Sequence, residues 1–400
     1  MKFNQNVDAL DTPAIPLALG WGDKYDGTYG PLIDMSQAVP NFPPAPTHLE
    51  ALSKAASAID LCNYGAIQGE LNLCRAYAAH VSARYDADIG EKQVHITSGC
   101  NQAFFACLIA LVAPGSTLLT TNPFYFNQGA TADVLGYNHK RVDCDPENGF
   151  LPSIDALAAA IDDTVSVLAL VSPNNPTGII YPPDLLLDIF ELCKARKIWL
   201  ILDETYREFA PLTGEPLHSL LSQSDWDETL IQLYSFSKTF CIPGHRLGAL
   251  LGHPKVVTAV AKVMDNMQIH APRAAQWALA DQLNKLDPWI DKNREKIGER
   301  AKAFTKVFED QAGWNIKSLG GYFAYVEHPY SNIGSRDLVK LMASKFGVLP
   351  LPGEFFGTQQ ERFLRFAFAN AFVKDIELLS SRLKFVDEEV RRFCLLECIE

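Results

Sequence analysis

Val165-Ser166-Val167-Leu168-Ala169-Leu170-Val171 is an almost unbroken apolar run, ended by the rigid turn Ser172-Pro173-Asn174-Asn175-Pro176-Thr177-Gly178. A strand with one solvated face alternates apolar and polar residues; a strand that is apolar throughout has both faces covered. Ile198–Asp203 and Leu230–Tyr234 read the same way, and an amphipathic stretch over Asp184–Ala195 separates the first two of these runs. Working back along the chain, Val94–Thr97 and Thr117–Thr121 are further strands, with helices expected over Gly99–Val112 and up to Gly136. Buried strands alternating with helices predict an α/β fold: a mostly parallel sheet sandwiched by helices.

Beyond about residue 285 the pattern changes. A long charged amphipathic helix, Trp289 to about Phe308, precedes short strands near Tyr322–Val326 and Phe363–Ala367 and a closing helix from Val373. These elements read as a smaller α+β domain. The expected division is an N-terminal segment 1–48 that belongs to the small domain, a large domain 49–280 and a small C-terminal domain 281–400. The Pro-rich stretch through Pro46 shows no clear periodicity and reads as a strap around one domain or a partner subunit.

The bulk figures narrow the function classes. Four hundred residues favour more than one domain, and 48% hydrophobic with 20% charged residues is the balance of a soluble globular chain. The formal charge is −12 with no block of Lys and Arg, which argues against nucleic acid or an anionic membrane as partner. Apolar stretches such as Phe104–Ala113 are half of the ~20 residues a spanning helix needs. No secretory leader pattern opens the chain, and the nine cysteines are scattered without a CxxC pair. A cytoplasmic protein with reduced thiols is expected. Cys394 and Cys398 lie one helical turn apart with no His nearby, so no metal site is expected there.

Open sheets of this kind bind ligands beyond the carboxyl ends of their strands. There the sequence places groups suited to a phosphorylated, cationic ring. Gly99-Cys100-Asn101 starts a helix, where free amides and the macrodipole favour a phosphate, although most such turns only cap a helix. Asp203 ends a buried strand, where a carboxylate is costly unless a cation or donors meet it; an Asp capping the next turn is the plainer alternative. Ser235-Phe236-Ser237-Lys238-Thr239-Phe240 with Pro243-Gly244-His245-Arg246 delivers hydroxyls, an amine and a guanidinium from one expected loop. A lone Lys is usually solvated surface, but this one is flanked by uncharged and aromatic residues.

In this order and spacing, SPNNPTG, DETY and SFSKTFxxPGHRxG strongly resemble the class I/II aminotransferases, the fold-type I pyridoxal-phosphate enzymes, over nearly the whole chain from about Ile33. The resemblance implies that Lys238 forms a Schiff base with pyridoxal 5'-phosphate and shuttles the proton. It implies that Asp203 pairs with the pyridinium nitrogen, that Asn175 and Tyr206 bond the ring's phenolic oxygen, and that Tyr125 stacks on the ring. Ser235, Arg246 and the Gly99, Cys100, Asn101 turn would hold the phosphate, with Ser237 a further candidate. Tyr64, in Asn63-Tyr64-Gly65, resembles the tyrosine that reaches the partner subunit's phosphate, which implies a homodimer with shared sites. Arg365 matches the grip on the substrate α-carboxylate, and Arg362 does not fit the pattern.

Three departures stand out. Ala38 replaces a glycine whose amide faces the substrate carboxylate, Leu73-Cys74 replaces Leu-Arg, and Asn101 stands where some aspartate-specific members have a lysine. The implied activity is ping-pong transfer of an amino group between an L-amino acid and a 2-oxo acid, with an aromatic-rich pocket leaning toward neutral or aromatic donors. A lyase, decarboxylase or cyclase on the same scaffold is the alternative. A regulator with a DNA-binding helix pair ahead of such a domain is disfavoured, because only about thirty residues precede the matching pattern.

Overall fold

The computed structural model describes residues 2–39 and 41–397, with side chains described as far as residue 392. The side chains of Cys394 and Cys398 therefore lie outside the described residues. In chain order the strands are β1 (Ile33–Asp34), β2 (Val94–Thr97), β3 (Thr117–Asn122), β4 (Asn138–Asp143), β5 (Val165–Val171), β6 (Trp199–Asp203), β7 (Leu230–Ser235) and β8 (Gly248–Leu251). They continue with β9 (Asn315–Gly320), β10 (Phe323–Glu327), β11 (Val348–Leu349), β12 (Leu351–Pro352) and β13 (Phe363–Phe366).

A seven-stranded sheet runs β2-β8-β7-β6-β5-β3-β4. Only β8 is antiparallel to its neighbours. Successive side chains of a strand point to opposite faces, and β5 shows what an unbroken apolar run is for. Leu168 and Leu170 pack in the core formed with helices Leu71–Tyr85 and Pro183–Arg196, while Val167 and Ala169 enter the opposite core, against helix Cys100–Leu111. Each fully buried Val or Leu contributes roughly 1.5–3 kcal/mol, so neither face could be left to water.

The sequence pattern did not reveal β4 or β8. Asn-His-Lys-Arg-Val-Asp of β4 is polar because it is the sheet's edge, largely open to solvent. Four residues at the start of β8, Gly248-Ala249-Leu250-Leu251, carry no length signal, although all are buried. Gly248 is required there: a Cβ would stand 2.6 Å from the Gly99 carbonyl carbon and 2.7 Å from the Cys100 amide nitrogen.

The smaller sheet, β12-β13-β10-β9, is antiparallel, and β10 pairs Tyr325 with Arg365 of β13. It is backed by helices Asp287–Glu309 and Val373–Glu397. The N-terminal stretch contains a helix that periodicity missed, Ala14–Gly22, whose Ala18 and Trp21 enter the small domain's core. β1 pairs in parallel with β11, so this segment is stitched to the small domain. Among the described residues no helix is long and apolar enough to cross a membrane.

Candidate active site

The carboxyl ends of β6 and β7, the turn after β5 and the start of helix Cys100–Leu111 converge with the N-terminal segment and β13 on a cleft of about 380 Å³. That is room for a small-molecule ligand. Ala38, Cys100, Asn101, Tyr125, Asn175, Asp203, Tyr206, Ser235, Ser237, Lys238, Arg246 and Arg365 all line it. Gly99 stands directly behind: φ is +92°, and a Cβ on it would collide with the Arg246 guanidinium.

Asp203 is buried at the end of β6. Its Oδ1 accepts from the Thr205 amide at 2.9 Å and hydroxyl at 2.6 Å, and the Cys100 thiol donates to Oδ2 at 3.3 Å. Burial pushes this carboxyl above its ordinary range, while the Thr205 and Cys100 donors pull it back. A carboxylate so placed is completed by a cation in the cleft.

Lys238 sits not in a loop but in a short helical turn, Phe236–Thr239, capped by Ser235, whose Oγ accepts from the Ser237 amide at 3.3 Å. The turn projects the amine into the cleft, where it donates to the Ala38 carbonyl. Burial first, then the positive charges of Arg365 and Arg246, press its pKa down to about 8, with Asp203 opposing. A lysine in that state holds a reactive neutral amine near physiological pH.

Anion-binding groups gather on one side. The first-turn amides of Cys100 and Asn101 have no intrahelical acceptor. Ser237 Oγ is buried without a partner. Arg246, at φ +49°, is anchored through the Pro243 and Ser98 carbonyls at 3.0 and 3.3 Å, leaving the guanidinium beside Gly99. Hydroxyl, guanidinium and helix N-terminus together have the chemistry to hold a phosphate.

Arg365, 2% exposed, lies between the rings of Phe323 and Phe356, 4.7 and 5.0 Å from their centroids. It donates to Asn175 Oδ1 at 2.9 Å and to the Ser36 carbonyl, while its Nε has no partner. Burial lowers its pKa to about 10. Among the described residues no carboxylate pairs with it, so this buried guanidinium is set to take one from a ligand. Arg362, by contrast, turns away to the His328 carbonyl at 2.8 Å and Glu327 at 3.6 Å. Asn174 holds the turn through Thr177, which frees Asn175 to face the cleft. Tyr125 accepts from Asn127 at 2.8 Å and is pushed up to about 12 by burial; Tyr206 packs its ring 5.3 Å from that of Tyr322.

Tyr64 is the exception: it is 81% exposed, with its ring against His270, and this chain does not bring it into its own cleft. The departure at Leu73-Cys74 is absorbed by the core, since both side chains are buried away from the cleft. Sequence reasoning missed Thr205, although an Asp followed two residues later by Thr is a local hydrogen-bonding signal. A further wall of the cleft is formed by Pro13, Ala14, Ile15 and Pro16 of the N-terminal stretch, expected to contribute to the pocket but without named residues, and by Phe126. Nothing local marks that wall.

The model of the family described as aminotransferase class I and II matches residues 30–383. Transaminase BacF of Bacillus subtilis is 28% identical over 84% of this chain and 84% of its own length. The aromatic aminotransferase ISS1 of Arabidopsis thaliana is 25% identical over 91% of this chain and 92% of its own. The solved structure of an aspartate aminotransferase single mutant from Thermus thermophilus superposes with a TM-score of 0.88 at 21% identity, covering 96% of this chain and all of that one. The architecture is thus that of the fold-type I aminotransferases. The chain belongs to the aminotransferase class I and II family, enzymes that transfer nitrogenous groups.

Proposed function

We propose that this aminotransferase works with pyridoxal 5'-phosphate and moves an amino group between an L-amino acid and a 2-oxo acid by a ping-pong route. The observation that carries the reading is one cleft holding two complementary groups. One is a lysine amine pressed down to about 8; the other is a buried guanidinium with no counter-ion among the described residues. The remaining groups fit the cofactor. Asp203 suits a protonated ring nitrogen, Asn175 and Tyr206 its phenolic oxygen, Tyr125 its face, and Ser235, Ser237, Arg246 and the Gly99–Asn101 turn its phosphate.

Arg365 grips the substrate α-carboxylate as a bidentate donor and Asn175 keeps its guanidinium in plane, so the α-carbon is held over Lys238. Lys238 Nζ, neutral and released, takes the proton from that carbon. The chemistry that pyridoxal phosphate would supply when bound is an electron sink and a carrier for the amino group. Asp203 would hold its ring nitrogen in the charged form.

The apolar wall of Pro13, Ile15, Pro16 and Phe126 favours a neutral or aromatic donor over one of aspartate length. Relatives named for an aromatic and for an aspartate substrate are both in the family. Exposed Tyr64, with Ile59, Leu71 and Trp277 also exposed, supports a homodimer in which Tyr64 serves the partner's phosphate. The seven cysteines with described side chains are all unpaired, which supports a reducing, cytoplasmic setting.

The test is a half-reaction. Holoenzyme given a single neutral amino acid and no oxo acid should convert one equivalent per site and stop, whereas continuous product release would point to a lyase or decarboxylase. Lys238→Ala should abolish both conversion and the absorbance band of the lysine–cofactor Schiff base; retained turnover would sink the reading.

A further inference from the structure

A second cavity, of about 810 Å³, lies on the far side of the N-terminal strap. It shares Pro13, Ala14, Phe126 and Asn127 with the active cleft, so these residues are the partition between the two spaces. Its walls come from three parts of the fold: the strap, the large domain and the small domain. Each domain contributes a guanidinium. Arg141, from β4, lies over the ring of Phe124 at 5.2 Å; Arg336, at the start of helix Ser335–Phe346, lies over Phe355 at 5.3 Å.

Among the described residues neither guanidinium has a carboxylate or hydrogen-bond partner, and Arg336 Nε is buried without one. His139, on the same wall, also leaves Nδ1 buried and unpartnered. Burial lowers the His139 pKa to about 4, so the ring stays neutral. The cavity's own carboxylates do not fill this need. Glu354 already accepts from the Ser335 hydroxyl at 2.8 Å and the Arg336 amide at 2.6 Å, and Asp11 and Asp133 lie exposed at the rim. Two arginines resting on aromatic faces with their donors free form a site for a carboxylate or phosphate. Just ahead of the partition, Asp11 and Thr12 donate no backbone hydrogen bond.

We propose that this cavity receives the distal anionic group of one of the enzyme's two substrates, an amino or oxo acid whose chain is long enough to pass the Pro13–Phe126 partition. A ping-pong enzyme handles two substrates in one cleft. The apolar wall suits the neutral one, and the paired guanidiniums suit the distal carboxylate of the other. Because Arg141 and Arg336 belong to different domains, such a substrate also draws the domains together over Lys238. The inference rests on the transamination reading, and its test separates the two.

Holoenzyme is titrated calorimetrically with pimelate, which carries a second carboxylate at the far end of its chain, and with heptanoate, which lacks it. Pimelate is expected to bind roughly ten- to hundredfold more tightly. Arg336→Met and Arg141→Met should each erase most of that difference, and Arg336→Lys should restore part of it, with the alanine half-reaction, run without an oxo acid, unchanged throughout. Equal affinity for the two acids, or a difference that persists in both Met variants, overturns the proposal. So does pimelate that fails to compete with alanine, which would mark the cavity as a separate anion site. An enzyme that converts no amino acid would sink the transamination reading, yet an arginine-dependent pimelate preference would still support the cavity.

Discussion

Lys238 shows how far a single side chain is governed by its surroundings. Burial and two neighbouring guanidiniums disfavour its ammonium form and set its pKa near 8 rather than the ordinary 10.5. In the apo protein, labelling of this amine by a lysine-directed acylating reagent should therefore show a midpoint near pH 8; a midpoint at the ordinary value would refute the account. The same shift links to stability. Between about pH 8 and 10.5 the unfolded chain binds the extra proton, so native stability contributed by this group rises with pH across that window. Below the window the penalty on the charged folded form is fully present. Lys238→Met should accordingly raise the apo melting temperature at neutral pH, and the gain should shrink as pH climbs through the window. Arg365 presents the converse case: its planar charge is held in a buried site between two aromatic rings, an arrangement that suits a ligand carboxylate.

At the scale of elements, the phosphate cradle depends on how helix Cys100–Leu111 meets β8. Gly99 adopts φ +92°, and a side chain there would strike Arg246. Gly99→Ala should cost about 1–2 kcal/mol in backbone strain alone and weaken cofactor retention about tenfold or more. Absorbance titration of the dialysed enzyme reads the second effect directly. A different device supports the segment bearing Asp203 and Tyr206. Behind the cleft, Glu204 accepts from Tyr85 at 2.6 Å and contacts His218 at 3.0 Å. Arg207, fully buried, lies 4.0 Å from the Tyr234 ring centroid and bonds Glu208 at 3.1 Å. Glu208 in turn meets Arg84 and Arg294. Removing the central charge takes one cation from a buried network in which Glu208 keeps Arg84 and Arg294, so Arg207→Met should destabilise the fold by about 1–3 kcal/mol in denaturant unfolding. A change within a few tenths of a kcal/mol would show that the network is structurally idle.

For the whole molecule, exposed Tyr64 makes a prediction about assembly. If it completes the partner's cradle, mixing inactive Lys238→Ala dimers with impaired Tyr64→Ala dimers should regenerate activity, because each mixed dimer contains one site with both residues intact. No recovery after verified subunit exchange would place Tyr64 outside the site. Much of this protein could be read from its sequence. The buried strands β5, β6 and β7 announce themselves because both faces must be covered; Asp203 ends β6, and Asn175 and Lys238 follow β5 and β7 within short turns. The same logic failed for β4, whose solvated edge carries polar residues, and for the helix Ala14–Gly22, whose packing partners lie some three hundred positions away in the chain. Local pattern thus determined the sheet, the small domain's presence and the identity of the reactive groups, since strand burial and turn chemistry act over a few residues. Tertiary structure alone decided that Arg365 stands without a counter-ion among the described residues and that Lys238 is pressed toward neutrality. It also decided that Pro13–Pro16 wall the cleft and that Arg141 and Arg336 share a cavity. Those properties are sums over groups distant in sequence, and no short stretch contains them.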